Sequence, residues 1–160
     1  FLFVGAIDRE KPDAITPELA AEYGLGEVCV FAGQRDDMPE MYGLMDVFVL
    51  PSHREGFPRS PMEASAMGVP CVLTDIRGCR EAVIHEQNGL LVPLGDVSTL
   101  ADAISALLTD CNKARQLGKA GRQMALERFD EREVFRKVKD EYARLLMEKG
   151  LGLPARPAVR

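Results

Sequence analysis

The chain has 160 residues, 46% of them hydrophobic and 28% charged, with a formal net charge of -5. That length fits one domain with a real core, and the acidic balance argues against nucleic acid as a partner. No apolar run approaches the ~20 residues that span a bilayer. The cysteines at 29, 71, 79 and 111 have no Cys-x-x-Cys spacing, so they read as reduced thiols of a cytosolic protein, not as a zinc site or disulfide framework. The chain opens on Phe1, directly on a strand. It is therefore expected to be a piece of a longer protein, with no targeting segment to read.

In chain order, Phe1 to Gly5 is a short apolar run that reads as a buried parallel strand. Ala6 to Lys11 is a polar loop at that strand's carboxyl end, where open α/β sheets place ligand contacts. Thr16 and Pro17 are an N-cap and first position for a helix to Tyr23. Val28 to Phe31 is a strand, followed by Ala32-Gly33. Met38 to Met45 is a short helix with apolar positions Met38, Met41, Tyr42 and Met45. Val47 to Leu50 is the next strand.

After the central segment, Cys71 to Leu73 is a strand, and Arg77 to Glu81 opens a short helix that His85 ends. Asn88-Gly89 is a turn and Leu90 to Val92 a last strand. From Asp96 the pattern is purely helical. Asp96 caps a helix whose apolar face holds Val97, Leu100, Ala101, Ile104, Leu107 and Leu108. Asn112 to Glu127 is a second helix. Asp130 and Glu133 form a capping signal for a third, with Val134, Val138, Tyr142, Leu145 and Leu146 as its stripe. The Gly/Pro-rich tail, 150–160, is expected to be poorly ordered. Strands alternating with helices predict a doubly wound, Rossmann-like parallel α/β sheet with extra C-terminal helices.

The central segment, Pro51 to Asp75, carries the chemistry. Ser60, Pro61 and Glu63 form a Ser-x-x-Glu capping box with proline at the first helical position. The helix should then stop at Gly68, before Pro70. Its free N–H groups and positive end suit a phosphate. Glu55 and Glu63 flank that end with seven residues between them. Carboxylates repel phosphate, so they make sense facing hydroxyl groups. A ligand with both a diphosphate and many hydroxyls is a nucleotide-sugar.

These residues also carry a resemblance. The chain resembles the C-terminal, donor-binding half of family 4 glycosyltransferases, two-domain enzymes of the GT-B fold. The shared features are the E-x7-E motif Glu55-Gly-Phe-Pro-Arg-Ser-Pro-Met-Glu63, the strand Asp46 to Ser52 before it, Gly68-Val-Pro70 after it, then Asp75 to Glu81 and Asn88 to Pro93.

The resemblance implies that Glu63 accepts hydrogen bonds from the ribose and Glu55 from the transferred sugar. Backbone from Gly56, Phe57, Pro58, Arg59 and Ser60 would meet the sugar and diphosphate. Lys11, beside Gly5, would stabilise the departing diphosphate, and Gly33, Gln34 and Arg35 would lie beside the base. The implied donor is a UDP- or GDP-sugar, with no tightly bound cofactor and no metal. The implied partner is a missing N-terminal acceptor-binding domain, with peripheral membrane contact through it.

Two departures from the family pattern are visible. Ala6 stands where an arginine is usual, with Arg9 the nearest replacement. The stretch from Lys11 to Val28 is short, so residues are expected to be absent near 11–13. The implied domain is 1–149, and the implied activity is retaining sugar transfer to a polysaccharide or glycolipid. The alternatives are a nucleotide-sugar epimerase of the same fold and a non-catalytic nucleotide-sugar-binding module. A dinucleotide oxidoreductase is not expected, since no G-x-G-x-x-G follows the first strand.

Overall fold

The computed structural model describes residues 1–11 and 14–151. The expected gap near 11–13 and most of the expected tail lie outside the described residues. Strands β1 (Leu2–Val4), β2 (Val30–Gly33), β3 (Phe48–Leu50), β4 (Cys71–Thr74) and β5 (Gly89–Val92) alternate with helices α1 (Pro17–Glu22), α2 (Met38–Gly43), α3 (Arg59–Ala66) and α4 (Arg77–Ala82). Helices α5 (Val97–Thr109), α6 (Cys111–Arg128) and α7 (Glu131–Glu148) follow. Every described strand pair is parallel. The strands fall into two hydrogen-bonded groups, β1-β2 and β3-β4-β5.

Strand β4 organises the core because it is buried along its whole length. Side chains alternate across a strand, so Cys71 and Leu73 join one cluster and Val72 another. The first cluster adds Tyr42, Ala64, Val69, Cys79, Ala82 and Val83 from the side of α2, α3 and α4. The second adds Leu90, Val92, Leu107 and Leu117 from the side of α5 and α6. Helices therefore cover both faces, which is the doubly wound arrangement.

The helix signals of the sequence operate as expected at four points. Thr16 accepts from Leu19 N, and Asp96 accepts from Thr99 N. Asp130 accepts from Arg132 N, and Gly68 ends α3 with φ +79°. Glu133 makes no capping-box bond and pairs with Arg136. Leu151 N donates to Leu146 O and Gly150 N to Met147 O, which closes the end of α7.

The close approach of α6 to α3 depends on glycine. A side chain on Gly118 would overlap the carbonyl of Gly68, and one on Gly121 would crowd Ser65. Arg122 Nη1 donates to Ala66 O at 2.5 Å. It satisfies one of the carbonyls that the end of α3 leaves unpaired. Thus α6 fixes the far end of the helix whose near end faces the candidate site.

The outer helices differ from expectation. On α5, Leu100, Ile104 and Leu107 pack inward as expected, but Val97, Ala101 and Leu108 are exposed and Ala103 packs instead. On α7 no residue is buried, and Val134, Val138, Tyr142 and Leu145 all lie exposed.

Candidate functional site

The loop after β3 is pinned before it reaches Glu55. Thr74 Oγ1 of β4 donates to Ser52 O at 2.6 Å. Ser52 Oγ donates to Glu55 Oε1 at 2.8 Å. The Glu55–Gly56 backbone rests on α4, where any side chain at Gly78 would overlap it. Glu55 is half-buried and therefore held at the surface of the loop, not swinging in bulk water.

Pro58 then sets where α3 begins. It is buried, with φ -70° and ψ 124°, and the helix starts at Arg59. The expected capping box is thus not formed. Ser60 is the second helical residue, not the N-cap, and no side chain caps this helix. Pro61 at the third position costs no hydrogen bond, because the first four N–H groups of a helix have no intrahelical partner. Pro58 and Pro61 carry no N–H. Only those of Arg59 and Ser60 remain at the helix start, and neither donates a backbone bond outside the helix among the described residues.

Glu63, released from capping, bonds elsewhere. Tyr42 Oη donates to Glu63 Oε2 at 3.0 Å. Burial, and secondarily this bond, push the Tyr42 phenol above its ordinary range, so it acts as a fixed donor. Arg59 Nε lies 3.7 Å from Glu63 Oε1, one helical turn away and exposed. Such a pair contributes little. Phe57, exposed, meets Phe129 edge-on at 6.1 Å.

A second group of predicted residues gathers at the carboxyl ends of β1 and β2. Gly5 N donates to Gly33 O at 2.8 Å. Both glycines have positive φ, +140° and +66°, which disfavours side chains there. Gly5, Ala6 and Lys11 line a cavity of about 360 Å³ together with Asp8, Phe3 and Phe31. Lys11 Nζ sits 3.6 Å from Asp8 Oδ2, and Arg9 is paired with Glu18. Gln34 and Arg35 are exposed, and Arg35 grips Asp37 with both Nε and Nη2. Among the described residues no hydrogen bond or ion pair joins this group to Glu55 or Glu63.

Sequence reasoning missed Tyr42, Ser52 and Gly78. Tyr42 reads as one more apolar position of a short helix. Its hydroxyl was the available signal, because a buried tyrosine needs a partner. His85 also differs from expectation. It lies beyond α4, and its Nδ1 accepts from Leu91 N at 2.9 Å. His53, two residues before Glu55, is exposed.

Comparison with known proteins follows this geometry. A profile of the family described as Glycosyl transferases group 1 matches residues 1–124. The chain is 36% identical over 146 residues to the N,N'-diacetylbacillosaminyl-diphospho-undecaprenol alpha-1,3-N-acetylgalactosaminyltransferase of Campylobacter jejuni, covering 91% of this chain and 37% of that protein. It is 30% identical over 149 residues to the UDP-Gal:alpha-D-GlcNAc-diphosphoundecaprenol alpha-1,3-galactosyltransferase of Escherichia coli, covering 93% and 38%.

Among solved structures, sucrose-phosphate synthase from Thermosynechococcus elongatus matches with a TM-score of 0.85 and 34% identity, over 92% of this chain and 38% of that one. HepE of Anabaena in complex with UDP matches with a TM-score of 0.83 and 26% identity, over 89% and 40%. The chain therefore spans less than half the length of these relatives.

Proposed function

The chain belongs to the glycosyl transferases group 1 family, and on that premise we propose that it is the donor-binding domain of a retaining glycosyltransferase. Its parallel α/β fold is of the GT-B type found in its structural neighbours. The full protein would move a sugar from a UDP- or GDP-sugar to a polysaccharide or glycolipid acceptor. The domain would span residues 1–149.

The observation that carries this reading is the pairing of chemistries at the start of α3. Two backbone donors, on Arg59 and Ser60, stand at the positive end of a helix beside two tethered carboxylates. The donors suit a diphosphate. Glu63 and Glu55 each keep acceptor lone pairs for hydroxyl groups, of the ribose and the sugar respectively. Lys11 would add positive charge where the diphosphate departs. Stabilising that leaving group with fixed donors is the chemistry such a site can supply. Gly56, Phe57 and Pro58 shape the wall, and Gly33, Gln34 and Arg35 would border the base.

HepE bound to UDP supports a nucleotide donor for this chain. Both curated relatives are named for diphospho-undecaprenol substrates, which supports a lipid-linked acceptor held by a separate N-terminal domain. No described helix is long and apolar enough to cross a membrane. Cytoplasmic placement with peripheral membrane contact through that other domain belongs to the same proposal. A non-catalytic nucleotide-sugar-binding module is the second reading. Ala6 favours it, as does the engagement of Arg9 with Glu18.

A thermal-shift panel of nucleoside diphosphates and their sugars tests the proposal, since a ligand raises stability by mass action. UDP or GDP and their sugars are expected to raise Tm, and Glu63→Ala to reduce the rise. Equal shifts in the parent and in Glu63→Ala would remove the ribose assignment.

A further inference from the structure

We infer that Tyr42 is a positioning residue for donor recognition, holding the Glu63 carboxylate at the angle that ribose hydroxyls require. This rests on the assignment of Glu63 to the ribose. Tyr42 is only 1% exposed, and its ring packs edge-on against Phe48 at 6.0 Å. The ring is thus fixed by the core, with the first cluster closed around it. Its hydroxyl reaches out of that core to Glu63 Oε2 at 3.0 Å.

The geometry divides the labour between the two carboxylate oxygens. Oε2 is held by a donor that cannot move. Among the described residues Oε1 is paired only with the exposed Arg59, at 3.7 Å, and is available to a ligand. Glutamate is a flexible side chain, and ordering it on binding weakens affinity unless it is already ordered. The tether also requires the carboxylate to be an acceptor, which is the state a sugar hydroxyl needs. Ser52 does the same for Glu55, but from within the same loop and only three residues away. Tyr42 is the tether that comes from a distant part of the chain, 21 residues away.

The test is calorimetric titration of the intact 160-residue chain with UDP and GDP, and then with the 2',3'-dideoxy form of whichever base binds better. Tyr42→Phe keeps the ring and removes the tether. It is expected to weaken the ribonucleotide about two- to tenfold, the effect of one side chain losing its order, and to leave the dideoxynucleotide unchanged. The double variant Tyr42→Phe/Glu63→Ala is expected to bind no more weakly than Glu63→Ala alone, because the two residues act as one unit.

Equal weakening of both nucleotides by Tyr42→Phe, no weakening of either, or a loss that adds to that of Glu63→Ala would each overturn the inference. In those cases the reading of the site stands if Glu63→Ala weakens the ribonucleotide and spares the dideoxynucleotide. If Glu63→Ala itself weakens both nucleotides equally, or if neither base binds at millimolar concentration, the reading of the site fails and the role of Tyr42 fails with it.

Discussion

The thiols divide by depth. Cys71 is fully buried, and burial pushes its thiol up to about 12, a rise that the contact with Ser65 only partly offsets. Burial raises Cys79 in the same direction. Cys111 opens α6 and is exposed, and Cys29 is intermediate. Thiolates, not thiols, react. With Ellman's reagent at pH 8, Cys111 is therefore expected to label first and Cys29 next, with Cys71 and Cys79 silent until denaturant is added. Mass spectrometry of the labelled protein reads the order. Native labelling of Cys71 at the rate of Cys111 would contradict the packing of β4.

At this same scale the sequence was partly legible. Glu55 and Glu63 stand out by spacing, and Gly68 by its place after the helix. Ser60 misleads, because Ser-Pro-x-Glu satisfies the local capping rule while the buried Pro58 starts the helix two residues earlier. A local rule does not see a tertiary contact, and the partner of Glu63 is Tyr42 on another helix.

Among elements, α3 is clamped at both ends by its neighbours. Its C-terminal end meets Gly118 and Arg122 of α6. The Glu55–Gly56 segment leading to its N-terminal end meets Gly78 of α4. Gly118→Ala would push α6 off the Gly68 carbonyl and is expected to cost about 1–3 kcal/mol, the usual range for overpacking. Urea denaturation reads it as a fall in midpoint at unchanged m. A variant as stable as the parent would show that the α3–α6 approach can relax.

Helix starts were readable because Thr16, Asp96 and Asp130 act within one turn. Helix faces were less so. The stripe of α7 has the right period and yet is exposed, as are Val97 and Leu108 of α5. Periodicity says which residues share a face, not what covers it.

On the scale of the whole molecule, the alternation of strands and helices carried the parallel α/β class, and β4 alone among the described strands is buried throughout. The separation into β1-β2 and β3-β4-β5 was not readable, because strand neighbours are a long-range property that no local pattern encodes. The same limit applies to the site. The loop at Gly5 and Lys11 and the segment around Glu55 and Glu63 are far apart in sequence, and both lie at carboxyl ends of parallel strands, where this class of fold binds ligands.

The chain is less than half the length of its relatives, and the part of the reaction proposed for it is recognition of the donor. The most direct measurement is an amide-resolved NMR titration of the 160-residue chain with UDP-glucose and GDP-mannose. The largest shifts are expected at the amides of Arg59 and Ser60, with Glu63 and the loop from Gly56 following. Shifts centred instead on the cavity of about 430 Å³ lined by Glu86, Asp110 and Lys113, with α3 silent, would contradict a donor site at the start of that helix.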